Sequence, residues 1–379
     1  MAGLWLEWYN MPMAITAEKD TTLPAGARSP ALTSALYGLA HLVVDYGSVS
    51  TLYHVTSGGL FSAQWIVALT VLFDYTAFAL QMFLGPLLDR LAGGGKHHNA
   101  AGLGAAVGCA LVAGGVWLAG AWPLGAVLAV AVGSALFHVG GGSVVLRLDR
   151  RRAVWPGLFV APGALGLFLG KAMGGNADIP FLPVLFTALL AAAALPCLLL
   201  QPPGRSTMAR IHRFRGMGWV VAALLLTVAL RSLTVFSLAL PLANGWPAAL
   251  ALAVMAFGGK ALGGFLADRF GWSLSTAFGL LLGAALLGLG SLWPPTALAG
   301  VLCVNLTMAV TVAALAYLLP GWEGLVFGLT ATALVIGLAP TGYGPWLPFL
   351  QQPAVVAGWC VLSAAALYPA LRAVERLKK

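Results

Sequence analysis

The chain reads as an all-α membrane protein, with twelve transmembrane helices in two pseudo-symmetric six-helix bundles and both termini cytoplasmic. Three observations predict this. Hydrophobic residues make up 60% of its 379 positions and charged ones 8%, too little polar surface for a water-soluble protein of this size. Cutting at charges, prolines and glycine-rich turns leaves about twelve apolar segments, each near the ~20 residues that a spanning helix needs. One short motif occurs twice, half a chain apart.

The order along the chain follows from those cuts. A tail, 1–30, carries Glu7, Glu18, Lys19, Asp20 and Arg28. It lacks the basic-then-apolar order of a secretory signal, so it is expected to stay attached. The first bundle, 31–200, holds spans 32–55, 62–87, 100–120, 124–147, 155–174 and 180–200. A basic linker, 201–216, contains Arg205, Arg210, Arg213 and Arg215. The second bundle, 217–372, holds spans 217–240, 247–267, 273–293, 296–318, 324–343 and 353–371. Pro340 and Gly342 interrupt the eleventh span. A basic tail, 373–379, closes the chain.

Basic residues set the orientation. Of 20 Lys and Arg, Arg231 and Lys260 lie within spans and Lys171 lies at the opposite end from the rest. The others fall in the tails and the even-numbered connections, which marks that side as cytoplasmic. The net charge of +9 is thereby explained by contact with anionic lipid headgroups, and no nucleic-acid partner is needed. Cys109, Cys197, Cys303 and Cys360 sit inside apolar segments without metal-type spacing and read as packing residues. No cofactor and no metal is expected. There is no phosphate-binding loop to couple ATP, and no nucleophile elbow or catalytic dyad, so the chain is not read as an enzyme.

The repeated motif is Gly85-Pro-Leu-Leu-Asp89-Arg90 and Gly264-Phe-Leu-Ala-Asp268-Arg269-Phe-Gly271, each at the cytoplasmic end of the second helix of its half. Glycine lets two helices approach closely, and an Asp there can pair with a basic group across a moving interface. Gly85, Asp89, Arg90, Gly264, Asp268 and Arg269 are therefore gating candidates. Internal repetition of this kind belongs to transporters built from duplicated bundles.

Ionisable side chains inside spans mark where a solute or proton is handled, because each costs roughly 3 kcal/mol at the bilayer centre. Asp45, Asp74, Arg231 and Lys260 are of this kind. His41 stands one turn from Asp45 on the same face. By helical rise, Asp45, His138, Arg231 and Asn305 all fall within about 6 Å of mid-depth. Asp45 is read as the proton carrier, with a permanent salt bridge to Arg231 as the alternative. Asp74 is a second carrier or a latch onto the eleventh helix. His41 and His138 are proton relays, His138 alternatively a packing residue. Arg231 binds a substrate anion or neutralises an aspartate; Lys260 is an anion ligand or a switch. Asn305, Tyr37 and Phe137 are candidate cavity contacts. Two carboxylates in the first half and two cations in the second suggest proton work in one and substrate binding in the other.

With its doubled motif after the second and eighth helices, the chain resembles the major facilitator superfamily. Within it, His41-x-x-x-Asp45, Gly133-Ser-Ala-Leu-Phe137-His138-x-Gly140 and Phe159-Val-Ala-Pro-Gly163-Ala-Leu-Gly166-Leu-Phe-Leu-Gly170 are similar to the fosmidomycin-resistance branch of drug exporters. Val139 and Lys171 stand where that branch usually has proline. The resemblance implies a monomeric secondary transporter of the bacterial inner membrane, a proton antiporter that exports an amphipathic or anionic small molecule by alternating access. It also implies that the helices bearing Asp45, His138, Arg231 and Asn305 line the cavity, and that Gly163, Gly166 and Gly170 serve conformational change. From the residues alone they serve close packing and bending around Pro162. Uptake of an organic anion, an intramembrane enzyme and a scaffold are the rival readings.

Overall fold

Helices run down the length of the chain in a computed structural model that describes residues 29–93, 99–176, 178–200, 214–238, 245–290, 293–342 and 346–378. In order they are α1 (Pro30–Ser57), α2 (Ala63–Ala79), α3 (Gln81–Gly93), α4 (Ala100–Leu118), α5 (Pro123–Leu148), α6 (Val154–Gly174) and α7 (Pro183–Leu199). They continue as α8 (Met217–Phe236), α9 (Trp246–Phe270), α10 (Trp272–Gly288), α11 (Pro294–Asn305), α12 (Met308–Leu318), α13 (Glu323–Gly342), α14 (Leu347–Leu350) and α15 (Pro353–Lys378). Most of the tail 1–30 and of the linker 201–216 lies outside the described residues, as do Lys96, His97 and His98.

Among the described residues, nine helical runs are long and apolar enough to cross a membrane. Three further expected spans, α1, α7 and α10, are also helical. The last two are short apolar helices. α1 is polar along its buried face, which carries Thr33, Ser34, His41, Asp45, Ser48, Ser50 and Thr51. Large apolar side chains such as Phe83, Leu226, Leu262 and Phe278 stand exposed on the outside, which suits lipid and not water. The protein is an integral membrane protein.

The helix count among the described residues exceeds twelve, because two expected spans are broken. The run 62–87 breaks at Leu80, where the Gln81 side-chain amide donates to Ala77 O at 2.7 Å and occupies a carbonyl the backbone ladder uses. The run 296–318 breaks at Leu306–Thr307. There Asn305 Nδ2 donates to Val301 O at 2.9 Å, and Thr307 Oγ1 donates to Val304 O at 3.0 Å. The eleventh span does not end at Pro340, which α13 carries within it.

Packing repeats between the halves. α1 packs on α6 as α8 packs on α13, and α4 on α7 as α10 on α15. Two pairings dominate the contact between the halves, α3 with α13 and α6 with α9, and smaller ones join α13 to α2 and α5 and α12 to α6. The same exchange of roles relates the two dominant contacts to each other.

Candidate functional site

α1, α5 and α6 bring three titratable side chains to one buried point. His41 and Asp45 share a face of α1 at i,i+4, and His41 Nε2 lies 3.1 Å from Asp45 Oδ2. His138, on α5, places Nε2 at 3.4 Å from Asp45 Oδ1 and 2.8 Å from His41 Nε2. All three residues are at least nine-tenths buried. α6 makes the room. A Cβ at Gly163 would stand 2.5 Å from His41 Nε2 and 2.7 Å from Asp45 Oδ2, and one at Gly166 would stand 2.9 Å from Asp45 Cβ. One at Gly170 would meet Val49 Cβ at 2.6 Å. The glycines singled out in the sequence therefore lie along the α1–α6 contact. Gly163→Ala is expected to cost about 1–3 kcal/mol, as overpacking does, and to drive His41 away from Asp45. Thermal unfolding checks the first effect, and the imidazole chemical shifts of His41 in wild type and variant check the second.

The hydrogen bonds fix how the cluster is protonated. His41 Nδ1 lies 2.9 Å from Phe159 O, and His138 Nδ1 lies 2.7 Å from Ser134 O. A carbonyl only accepts, so both Nδ1 atoms carry hydrogen and donate. Both Nε2 atoms of the neutral rings are then bare acceptors, and they face each other and a carboxylate. Three acceptors at these separations repel unless a proton or another cation sits among them. The arrangement has the chemistry to take up a proton or another cation. Phe137 and Phe159 close it, their rings 6.1 and 4.9 Å from the His41 ring.

Arg231 and Lys260 represent the second half. Arg231, on α8, is buried and donates from Nη1 to Thr307 Oγ1 at 3.2 Å, beside the break between α11 and α12. Lys260, on α9, lies within electrostatic reach of Asp45 and of Arg231. Among the described residues neither cation makes an ion pair within 4.0 Å. The alternative of a permanent Asp45–Arg231 bridge is not what the fold holds, since the Asp45 carboxylate is taken by the two histidines. Asn305 gives its amide to its own helix and packs where Gly259 leaves space, a Cβ there standing 2.7 Å from Asn305 Cβ. Tyr37 is fully buried against α7, its hydroxyl 3.4 Å from Leu200 O, away from Arg231. Asp74 is half-buried on α2, apart from the cluster, with no ion pair among the described residues.

The doubled motif performs one job twice. Asp89, fully buried, accepts from Gly324 N at 3.0 Å and Leu325 N at 2.9 Å, the first turn of α13. Asp268 accepts from Ala153 N at 2.8 Å and Val154 N at 3.0 Å, at the start of α6. Each carboxylate thus caps a helix of the opposite half, where free N–H groups and the positive end of the helix dipole favour an anion. Each motif glycine lets that helix in: a Cβ at Gly85 would collide with Gly324, and one at Gly264 would meet Val154 Cα at 2.7 Å. The expected pairing with a basic group holds for Asp89 alone, which binds Arg147 Nη2 at 3.1 Å. Asp268 is joined instead by Trp272 Nε1 at 2.9 Å. Arg90 and Arg269 point outward.

Sequence reasoning missed Arg147, Arg150 and Glu323. Arg147 Nε lies 3.2 Å and Arg150 Nη2 2.7 Å from the Glu323 carboxylate, so a buried chain of charges ties α5 to α3 and α13. One signal was available: Glu323 is the single acidic residue between Asp268 and Glu375.

No protein-family profile matches the chain, and no curated protein sequence does. Solved structures do. A Major Facilitator Superfamily transporter, FucP, in its outward conformation is similar with a TM-score of 0.69 at 15% identity, over 91% of this chain and 98% of that one. A variant of the E. coli fucose:proton symporter FucP is similar with a TM-score of 0.65 at 16% identity, over 92% of this chain and 99% of that one. At such identities the likeness establishes the fold, which is that of these transporters over nearly their whole length.

Proposed function

We propose that the protein is a proton-coupled secondary transporter working by alternating access, with a small anionic or amphipathic organic molecule as cargo. One observation carries the reading. His41, Asp45 and His138 form a buried set of three acceptors that needs a proton to hold together, and the second half holds two cations, Arg231 and Lys260, that make no ion pair within 4.0 Å among the described residues. Protonation is the work of the first half, and anion binding that of the second. A buried guanidinium keeps its charge and presents a fork suited to a carboxylate or phosphate. Its position beside a broken helix fits the discontinuous helices at transporter sites.

Twelve crossings with both termini cytoplasmic complete the reading. Trp122, Trp246, Trp293 and Trp346, all exposed, stand at the starts of α5, α9, α11 and α14, as interfacial aromatics do. Arg90, Arg147, Arg269 and Arg376 mark the far ends of α3, α5, α9 and α15. The basic end is the cytoplasmic one, in a bacterial inner membrane. The Asp89 and Asp268 caps close the halves there, which supports an outward-facing state, and the unit of transport is the monomer.

Export follows from the resemblance to fosmidomycin-resistance exporters. The similar E. coli protein is a fucose:proton symporter, which supports uptake as the second reading. Counterflow in right-side-out and inverted vesicles separates the two directions. For the cargo class, thermal unfolding of the purified protein is measured with panels of anionic, zwitterionic and cationic compounds. Anions are expected to stabilise the wild type by a few degrees and Arg231→Ala not at all. Stabilisation by cations alone overturns the assignment.

A further inference from the structure

The donor set of the buried cluster admits an occupant other than a proton. The Nε2 atoms of His41 and His138 and a carboxylate oxygen of Asp45 all lie within 4.8 Å of one another. The two nitrogens are 2.8 Å apart. An ion bonded to both at about 2.1 Å, the usual length to imidazole, would see them about 85° apart, a normal cis angle for a six-coordinate metal. The carboxylate then completes one face, giving two imidazoles and one carboxylate with the remaining positions open. Both rings already have their second nitrogen fixed: Nδ1 of His41 donates to Phe159 O and Nδ1 of His138 to Ser134 O. Metal-ligating histidines are oriented in this way, by a hydrogen bond from the other ring nitrogen to a carbonyl or carboxylate.

We infer that His41, Asp45 and His138 form a binding site for a divalent first-row transition-metal cation of the nickel, cobalt or zinc class. Imidazole nitrogens select such ions over magnesium and calcium, which prefer all-oxygen shells. Lys260 is the charge of the second half that acts on the cluster, and Arg231 acts in turn on Lys260. Lys260 opposes any added cation, proton or metal alike, so the selection comes from donor geometry. The inference goes beyond the transport reading and stands on the cluster alone.

The test uses the full-length protein in detergent, purified through a tag without histidines. Co2+ is titrated and followed by its visible absorption, and Ni2+ by calorimetry. One saturable equivalent is expected for each. Outer-shell partners alone are worth about 10–100-fold in metal affinity, so His138→Ala should weaken binding at least tenfold. A His97→Ala/His98→Ala double variant should bind like wild type. X-ray absorption of the Ni2+-loaded wild type, which needs no variant to fold, should show two imidazoles and otherwise oxygen ligands. Absence of saturable binding overturns the inference. So does binding that survives His138→Ala, binding lost with the 97–98 pair, or a spectrum without imidazole. These titrations involve neither gradient nor cargo, so a negative result leaves the coupling test of Asp45 standing, and failure of that test leaves this one intact.

Discussion

Asp45→Asn is expected to reduce pH-gradient-driven accumulation in proteoliposomes to the level of protein-free vesicles, while cargo-for-cargo exchange stays within a few-fold of wild type. The geometry gives the reason. With Asp45 ionised, the two bare Nε2 atoms and the carboxylate need a shared proton. An asparagine amide at the same place brings its own hydrogens and can donate to Nε2 of His41 or His138. The cluster is then satisfied without taking a proton from either side, so nothing links its occupancy to the gradient. Stability should change little or rise, because a buried charge is replaced by a neutral group of the same shape. A gradient-driven signal that persists in Asp45→Asn would remove this carboxylate from coupling. Loss of exchange together with accumulation would instead give it a part in binding or in the conformational change.

His41→Ala separates relay from scaffold within the same cluster. It removes one of the three acceptors but leaves His138 able to share a proton with Asp45, so coupling should weaken rather than vanish. Its effect should therefore lie between wild type and Asp45→Asn in the same accumulation assay.

Much of the architecture was readable because hydropathy and charge are local properties of a segment. Among the described residues every expected span falls largely on helix, two of them in two pieces, and the two motif copies meet equivalent partners. The breaks at Leu80 and Leu306 were not readable, because the polar side chains beside them, Gln81 and Asn305, bond back to their own helices as Thr51, Thr70 and Ser143 do within unbroken ones. The cluster was partly readable. Spacing put His41 and Asp45 on one face, and depth put His138 at their level. Their mutual contact depends on how closely α6 approaches α1, which Gly163 and Gly166 permit but do not announce. Sequence spacing offered no metal-type donor pair, and the contact of His41 with His138 joins residues 97 positions apart. Arg147 and Glu323 read as ordinary loop-end charges until α3, α5 and α13 are seen to converge.

The two motif aspartates offer a test of what closes the end of the bundle that carries the repeated motif. Both cap a helix start with two hydrogen bonds, but Asp89 is fully buried and also holds Arg147, itself bound to Glu323. Asp268 is more exposed, and among the described residues its carboxylate makes no ion pair within 4.0 Å. Breaking a buried pair by removing one partner costs about 3–5 kcal/mol, since the other charge is left stranded. Loss of an exposed cap costs about 1 kcal/mol. Asp89→Ala should therefore accelerate hydrogen exchange of the Gly324 and Leu325 amides by roughly a hundredfold or more, at about tenfold per 1.4 kcal/mol. Asp268→Ala should accelerate exchange at Ala153 and Val154 by roughly fivefold to tenfold. Because the caps bridge the halves, both variants should also shift the protein away from the state closed at this end, Asp89→Ala much further. Equal effects at the two sites would mean that the Arg147–Glu323 charges add nothing to the closure and that the helix caps alone hold it.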